Sequence, residues 1–158
     1  MVAWNLNLRL LVWCLVLATP FAASNWGSTI DEAGVHARNG EFNKSLALYE
    51  STLAEIKSSA DADASNGDGE ANLQIAQIYL GMAQVLVQTD RFQPSLQLFE
   101  TLLKMEITDP GYEAALKGSA LAGYTIALTK VGRFKQAERV AKQARVSVVN
   151  GSCARGGA

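Results

Sequence analysis

The chain is poorest in the groups from which active sites are built. Its 158 residues include one histidine, His36, and two cysteines, Cys14 and Cys153. A lone histidine excludes any site with two imidazole ligands and most nucleophile–base pairs. Two cysteines are too few for a disulfide framework. There is no glycine-rich phosphate loop and no G-x-S-x-G motif. Glu50, Glu55, Glu100 and Glu106 lie among basic or polar neighbours, as a solvated face does and a paired acid and base does not. His36 is expected as a packed or half-buried side chain rather than a base. No catalytic residue, metal site or cofactor is expected.

Acidic residues are missing from the first 30 positions, which carry one base, Arg9, before the apolar run "LLVWCLVLA" and the small-residue stretch "TPFAAS". Basic, apolar and small residues in that order make a secretory signal peptide over residues 1–24. The run of nine residues falls well short of the about 20 that a spanning helix needs. A cleaved signal is therefore favoured, with Ala22 and Ser24 as the small-x-small site and an uncleaved membrane anchor as the alternative. Cleavage would remove Cys14 and leave Cys153 alone in the glycine-rich end "NGSCARGGA", a tail over 149–158.

Disorder is excluded along most of the remainder, with 49% apolar and 18% charged residues. One amphipathic phrase occurs three times: "GEFNKSLALYESTL", "DRFQPSLQLFETLL" and "GRFKQAERVAKQA". The second has Phe92, Leu96, Leu98, Phe99, Leu102 and Leu103 at helical spacing. The first has Phe42, Leu46, Leu48, Tyr49 and Leu53, and the third Phe134, Ala137, Val140, Ala141 and Ala144. A turn precedes each copy, and a further helical pattern precedes each turn, most clearly "ANLQIAQIYLGMAQVLVQ" and "YEAALKGSALAGYTIALTK". The spacing predicts an all-α, three-repeat helix-turn-helix solenoid over 26–148, with units at about 26–59, 70–108 and 110–148. One helix pair cannot bury its own apolar stripe, and stacking three makes a continuous core.

These residues resemble the tetratricopeptide repeat family. The resemblance rests on a small residue and a large one four apart in the second helix (Ser45 and Tyr49, Ser95 and Phe99, Ala137 and Ala141). It also rests on the turns "GEF", "DRF" and "GRF" and on a small residue in the first helix, Ala33 and Ala83, matched less well by Thr125. The turn phenylalanines are 50 and then 42 residues apart, longer than the family's usual 34. The 42-residue spacing is similar to the longer-helix repeats of kinesin light chains. The first unit departs further, with His36 at an aromatic position and a weak first helix in "NWGSTIDEAGVHARNG". The resemblance implies a non-catalytic superhelix whose first helices line a groove for a peptide or a partner helix. By matching position, its wall is Gln77, Leu80, Gln84, Gln88, Ile126, Thr129 and Lys130. Ile30, Gly34, Gly81, Ser119 and Gly123 stand where the subfamily that grips chaperone tails carries basic and amide side chains, so no carboxylate clamp is expected.

The stretch "SSADADASNGDGE", 58–70, reads as an exposed loop. Asp61, Asp63 and Ser65 begin like a calcium loop, but Asn66 and Asn72 replace its glycine and closing glutamate. In "TDPGYE", Asp109 is placed to cap a helix that starts at Pro110. Asn43 and Asn150 lie in glycosylation triplets.

Charge is uneven. Residues 31–70 hold nine acids and three bases, a net of −6, and 130–158 hold seven bases and one acid, a net of +6. Such ends would attract a second copy or steer an acidic protein partner. Val140, Ala141 and Ala144 are expected on a partly exposed C-terminal stacking face, covered by a second copy or by a partner unless the chain is a truncated relative of a longer array; self-association is the reading taken. Nucleic acid is a poor fit to an exported chain with no aromatics interleaved in its basic stripe, and a membrane enters only through an uncleaved N-terminus. N-terminal sequencing of the mature protein is expected to give a start near residue 24; a start at Met1 favours the anchor.

Overall fold

The computed structural model describes residues 25–62 and 68–153. The signal segment, Asp63, Ser65 and Asn66 lie outside the described residues. Among those described there are six helices and no strand: α1 (Trp26–Arg38), α2 (Phe42–Ala62), α3 (Asp68–Gln88), α4 (Phe92–Lys104), α5 (Pro110–Lys130) and α6 (Phe134–Cys153). None of them is long and apolar enough to cross a membrane.

The helices pair as α1 with α2, α3 with α4 and α5 with α6. The first helices α1, α3 and α5 also pack side by side, and each second helix packs on the first helix of the next pair. Among the described residues the backbones of α2, α4 and α6 do not pack against one another. The result is a helical repeat array in which the first helices form one row and the second helices stand apart behind it.

Each pair is joined by the same turn. Gly40, Asp90 and Gly132 have φ of 79°, 58° and 79°, the left-handed conformation that ends a helix. The next amide reaches back five residues: Glu41 N–H to His36 C=O at 2.9 Å, Arg91 to Leu86 at 2.8 Å and Arg133 to Leu128 at 2.9 Å. This closes the exposed carbonyls of the first helix and reverses the chain. At the start of α5, Asp109 Oδ1 accepts from the amides of Gly111 at 2.8 Å and Tyr112 at 3.1 Å, with Pro110 in the first turn.

The unequal repeat spacing has a simple origin. Five positions separate the described helices of successive pairs in each case (63–67 and 105–109), and α3 and α5 have 21 residues each. The second helices differ: α2 has 21 residues and α4 has 13. Those eight residues are the whole difference between spacings of 50 and 42. The stretch read as a loop from residue 58 is thus helical through Ala62, and helix resumes at Asp68. The extension is anchored by Ile56, fully buried, and by Lys57, whose ammonium lies 5.9 Å from the Tyr79 ring centre. The expected weak first helix forms over Trp26–Arg38. At the other end α6 runs on to Cys153, carrying Asn150 in its backbone.

Two apolar clusters share α3. Ile78 and Val85 pack with Ala33, Tyr49 and Ile56, whereas Ala76 and Ala83 pack with Phe99, Leu102 and Tyr124. The helices approach closely because small residues occupy the crossings: Ala33, Ala83, Ser45 and Ser95 are all fully buried. In the third pair it is Ala120 and Ala127 that are fully buried, while Thr125 is half-buried. Leu98, on the apolar stripe of α4, is only half-buried, and Leu96, Phe99 and Leu102 hold the core side.

The tightest contacts join one pair to the next. A Cβ placed on Gly81 would lie 2.5 Å from Tyr49 Cζ, and one on Gly123 would lie 2.5 Å from Phe99 Cζ. Real Cβ atoms do not approach carbon so closely, so each aromatic ring of a second helix is seated on the bare backbone of the following first helix. Gly118, in the same helix as Gly123, has nothing within 4 Å of such a Cβ. Gly123→Ala is therefore expected to cost about 2 kcal/mol or more through overpacking, and Gly118→Ala to gain up to about 1 kcal/mol of helix propensity. Urea denaturation of the two variants checks this. Equal effects would contradict the seating of Phe99.

Candidate interaction cleft

The row of first helices repeats a register. Twelve, eight and four residues before the turn phenylalanines stand Ile30, Gly34 and Arg38 in α1, then Leu80, Gln84 and Gln88 in α3, then Ala122, Ile126 and Lys130 in α5. Gly34 has no side chain to fill its place, and a cleft of about 440 Å³ opens between α1 and α3. Ile30, Asp31 and Arg38 line one wall, Gln77, Leu80, Gln84 and Gln88 the other, with Tyr49 and Gly81 between them. Burial pushes the Tyr49 hydroxyl above the usual tyrosine range, with nearby Arg38 opposing and Asp31 reinforcing that shift.

Four of the seven wall residues expected from sequence, Gln77, Leu80, Gln84 and Gln88, are brought together here. Ile126, Thr129 and Lys130 lie on α5, exposed and outside this cleft, with Ile126 52% exposed. The α1 wall and Tyr49 were not on the expected list. The register counted back from Phe42 contains Ile30, Gly34 and Arg38, so the signal was present.

A second hollow of about 240 Å³ opens behind the row, between α2 and α4. Leu46, Met82, Leu86, Pro94 and Leu98 make it apolar, and Glu50 and Arg91 flank it. Leu98 is half-exposed because it forms this wall.

The polar groups elsewhere tie helices together. His36 is half-buried; its Nδ1 meets the Glu41 carboxylate, and its Nε2 lies 3.8 Å from Glu32 Oε1. Glu41 is held below the usual carboxylate range by its hydrogen bond from Lys44 and then by that with His36. Among the described residues no group of three or more His, Cys, Asp or Glu side chains is placed to hold a metal ion. Asp61, the first residue of the calcium-like stretch, lies in the last turn of α2. Asn43 is exposed near the start of α2.

Compared with protein-family models, curated proteins and solved structures, the chain gives no match. The fold and the cleft are therefore the ground for any functional reading.

Tyr124 offers a direct check on the packing of α4, α5 and α6. Its hydroxyl donates to Glu100 Oε1 at 2.6 Å and accepts from Gln136 Nε2 at 3.1 Å. Burial first, and then that bond to Glu100, push its pKa up to about 12. The folded value exceeds the ordinary value of about 10, so the contribution is fully present below pH 10 and is lost as pH rises to about 12. In a spectrophotometric titration a tyrosinate component near pH 12 is expected, and Tyr124→Phe removes it. A Tyr124 signal at the ordinary value would contradict the hydrogen-bonded triad.

Proposed function

We infer that this chain is a non-catalytic protein–protein interaction module of the secretory route. It resembles a short tetratricopeptide array and holds a peptide or partner helix in the cleft between α1 and α3. The observation that supports this most is the convergence of Gln77, Leu80, Gln84 and Gln88 with Ile30 and Arg38 on one open cleft. Side-chain amides offer donors and acceptors to a peptide backbone, and Ile30 and Leu80 give its side chains apolar ground.

Gln77 and Gln88 are eleven positions apart, about 16 Å along the helix at 1.5 Å per residue. That is room for about five residues of extended chain at about 3.3 Å each. Arg38 and Lys130 share one register position, four residues before Phe42 and Phe134. In the cleft itself Arg38 favours an acidic side chain near the C-terminal end of α1, whereas Asp31 disfavours one about two turns away. Export follows from the order of basic, apolar and small residues at the N-terminus.

A photo-reactive benzoylphenylalanine at Gln84 is expected to capture a discrete protein partner in the cells that make the chain. The same probe at Gln97, exposed on the rim of the rear hollow, should not. Leu80→Arg, at a half-buried wall position that also packs on the core, should abolish the Gln84 adduct, and Arg38→Glu, exposed on the opposite wall, should weaken it with the circular dichroism spectrum unchanged. Equal capture from both positions, or capture indifferent to Leu80→Arg, would contradict the reading.

A further inference from the structure

The two internal junctions use one register, and that register can be continued past the ends of the chain. Seven residues after a turn phenylalanine stands the seated aromatic, Tyr49 or Phe99. Eleven residues before the next turn phenylalanine stands its seat, Gly81 or Gly123. One position further along both elements, Glu100 accepts from Tyr124 at 2.6 Å. In α6 the corresponding positions are Ala141 and Lys142, and in α1 they are Asp31 and Glu32. We propose that a second copy of the chain continues the array head to tail, with Lys142 of one copy against Glu32 of the next where Glu100 and Tyr124 meet inside the chain.

Size and charge both fit this occupant. Inside the chain a large ring meets a glycine; at the ends the small Ala141 would meet the larger Asp31. Lys142 and Glu32 are well exposed, with side chains 74% and 63% exposed. Each has one partner on its own helix, Glu138 at 2.9 Å from the Lys142 ammonium and His36 at 3.8 Å from Glu32, and both keep an open side for a second. Val35, at the edge of the cleft, is 44% exposed at the position where Val85 and Ala127 are buried, and the added copy would cover the part of it that the cleft does not use. The acidic first repeat and the basic last helix attract each other only in this polarity. Pairing two copies through the same end would oppose like charges.

The junction is also softer than the internal ones. Val140 and Ala144, expected on the partly exposed face, turn into the core instead. Glu138 and Arg145 replace the leucines of the earlier copies, Leu46 and Leu96 and then Leu53 and Leu103, so the added contact is polar and reversible. Because its two faces differ, the contact does not close on itself and gives open oligomers rather than a fixed dimer.

Sedimentation velocity of the mature chain, without residues 1–24, tests the proposal. The average mass should rise with protein concentration at about 20 mM salt, and less so at about 0.5 M, where screening is strong. Lys142→Glu or Glu32→Lys alone should weaken association about fivefold to tenfold. The two together in one chain should restore it, since the reversed pair attracts again. Asp31→Gly with Ala141→Phe rebuilds the ring-on-glycine seat and should tighten association about tenfold or more. A monomer at every concentration would overturn the proposal. So would association that ignores both single charge reversals, or a double reversal that fails to restore it.

Discussion

Two aromatic rings resting on two bare glycine backbones set the geometry of the array. Tyr49 on Gly81 and Phe99 on Gly123 bring each second helix onto the next first helix at a distance no side chain on the glycine would permit. Everything along the row inherits that spacing. Close approach at these points aligns α1, α3 and α5, and that alignment places Gln77, Leu80, Gln84 and Gln88 across from Ile30 and Arg38. The cleft is thus a consequence of the junction packing. A glycine inside a helix weakens it by about 1 kcal/mol relative to alanine, and the fully buried ring of Phe99 returns more than that through apolar burial.

The turns fix direction and the seats fix distance. Gly40, Asp90 and Gly132 reverse the chain in the left-handed conformation, and Asp90 does so with a side chain that tolerates it less well than glycine does. The extra two turns of α2 lengthen the first repeat without disturbing the register, because they extend past the junction toward Ile56 and Lys57. Around these fixed points the polar groups act as ties. His36 holds the first turn to Glu41 and Glu32, and Tyr124 links Glu100 to Gln136 across three helices.

Much of the fold was legible because two signals coincided in each repeat: apolar residues at helical spacing and a turn before each phenylalanine. The cap at Asp109 was legible for the same local reason. Helix in α2 beyond residue 57 was not. Ser58, Ser59 and Asp61 have poor helix propensity, and burial of Ile56 against α3 overrides it. The inward turn of Val140 and the half-exposure of Leu98 were also hidden, since an apolar stripe does not say which edge of it meets a neighbour. Half of the cleft was readable from the α3 residues. The other half depended on recognising that Gly34 marks open space and Gly81 a close approach, which needs the neighbouring helix in view.

A double-mutant cycle on Phe99→Ala and Gly123→Ala tests the central claim most directly, because it isolates the ring from its seat. If Phe99 rests on the Gly123 backbone, Gly123→Ala is costly with the ring present and nearly neutral or stabilising once the ring is gone. The double variant should then be about as stable as Phe99→Ala alone in urea denaturation. Strictly additive losses would show that the two residues do not meet as described, and would contradict the account of the array.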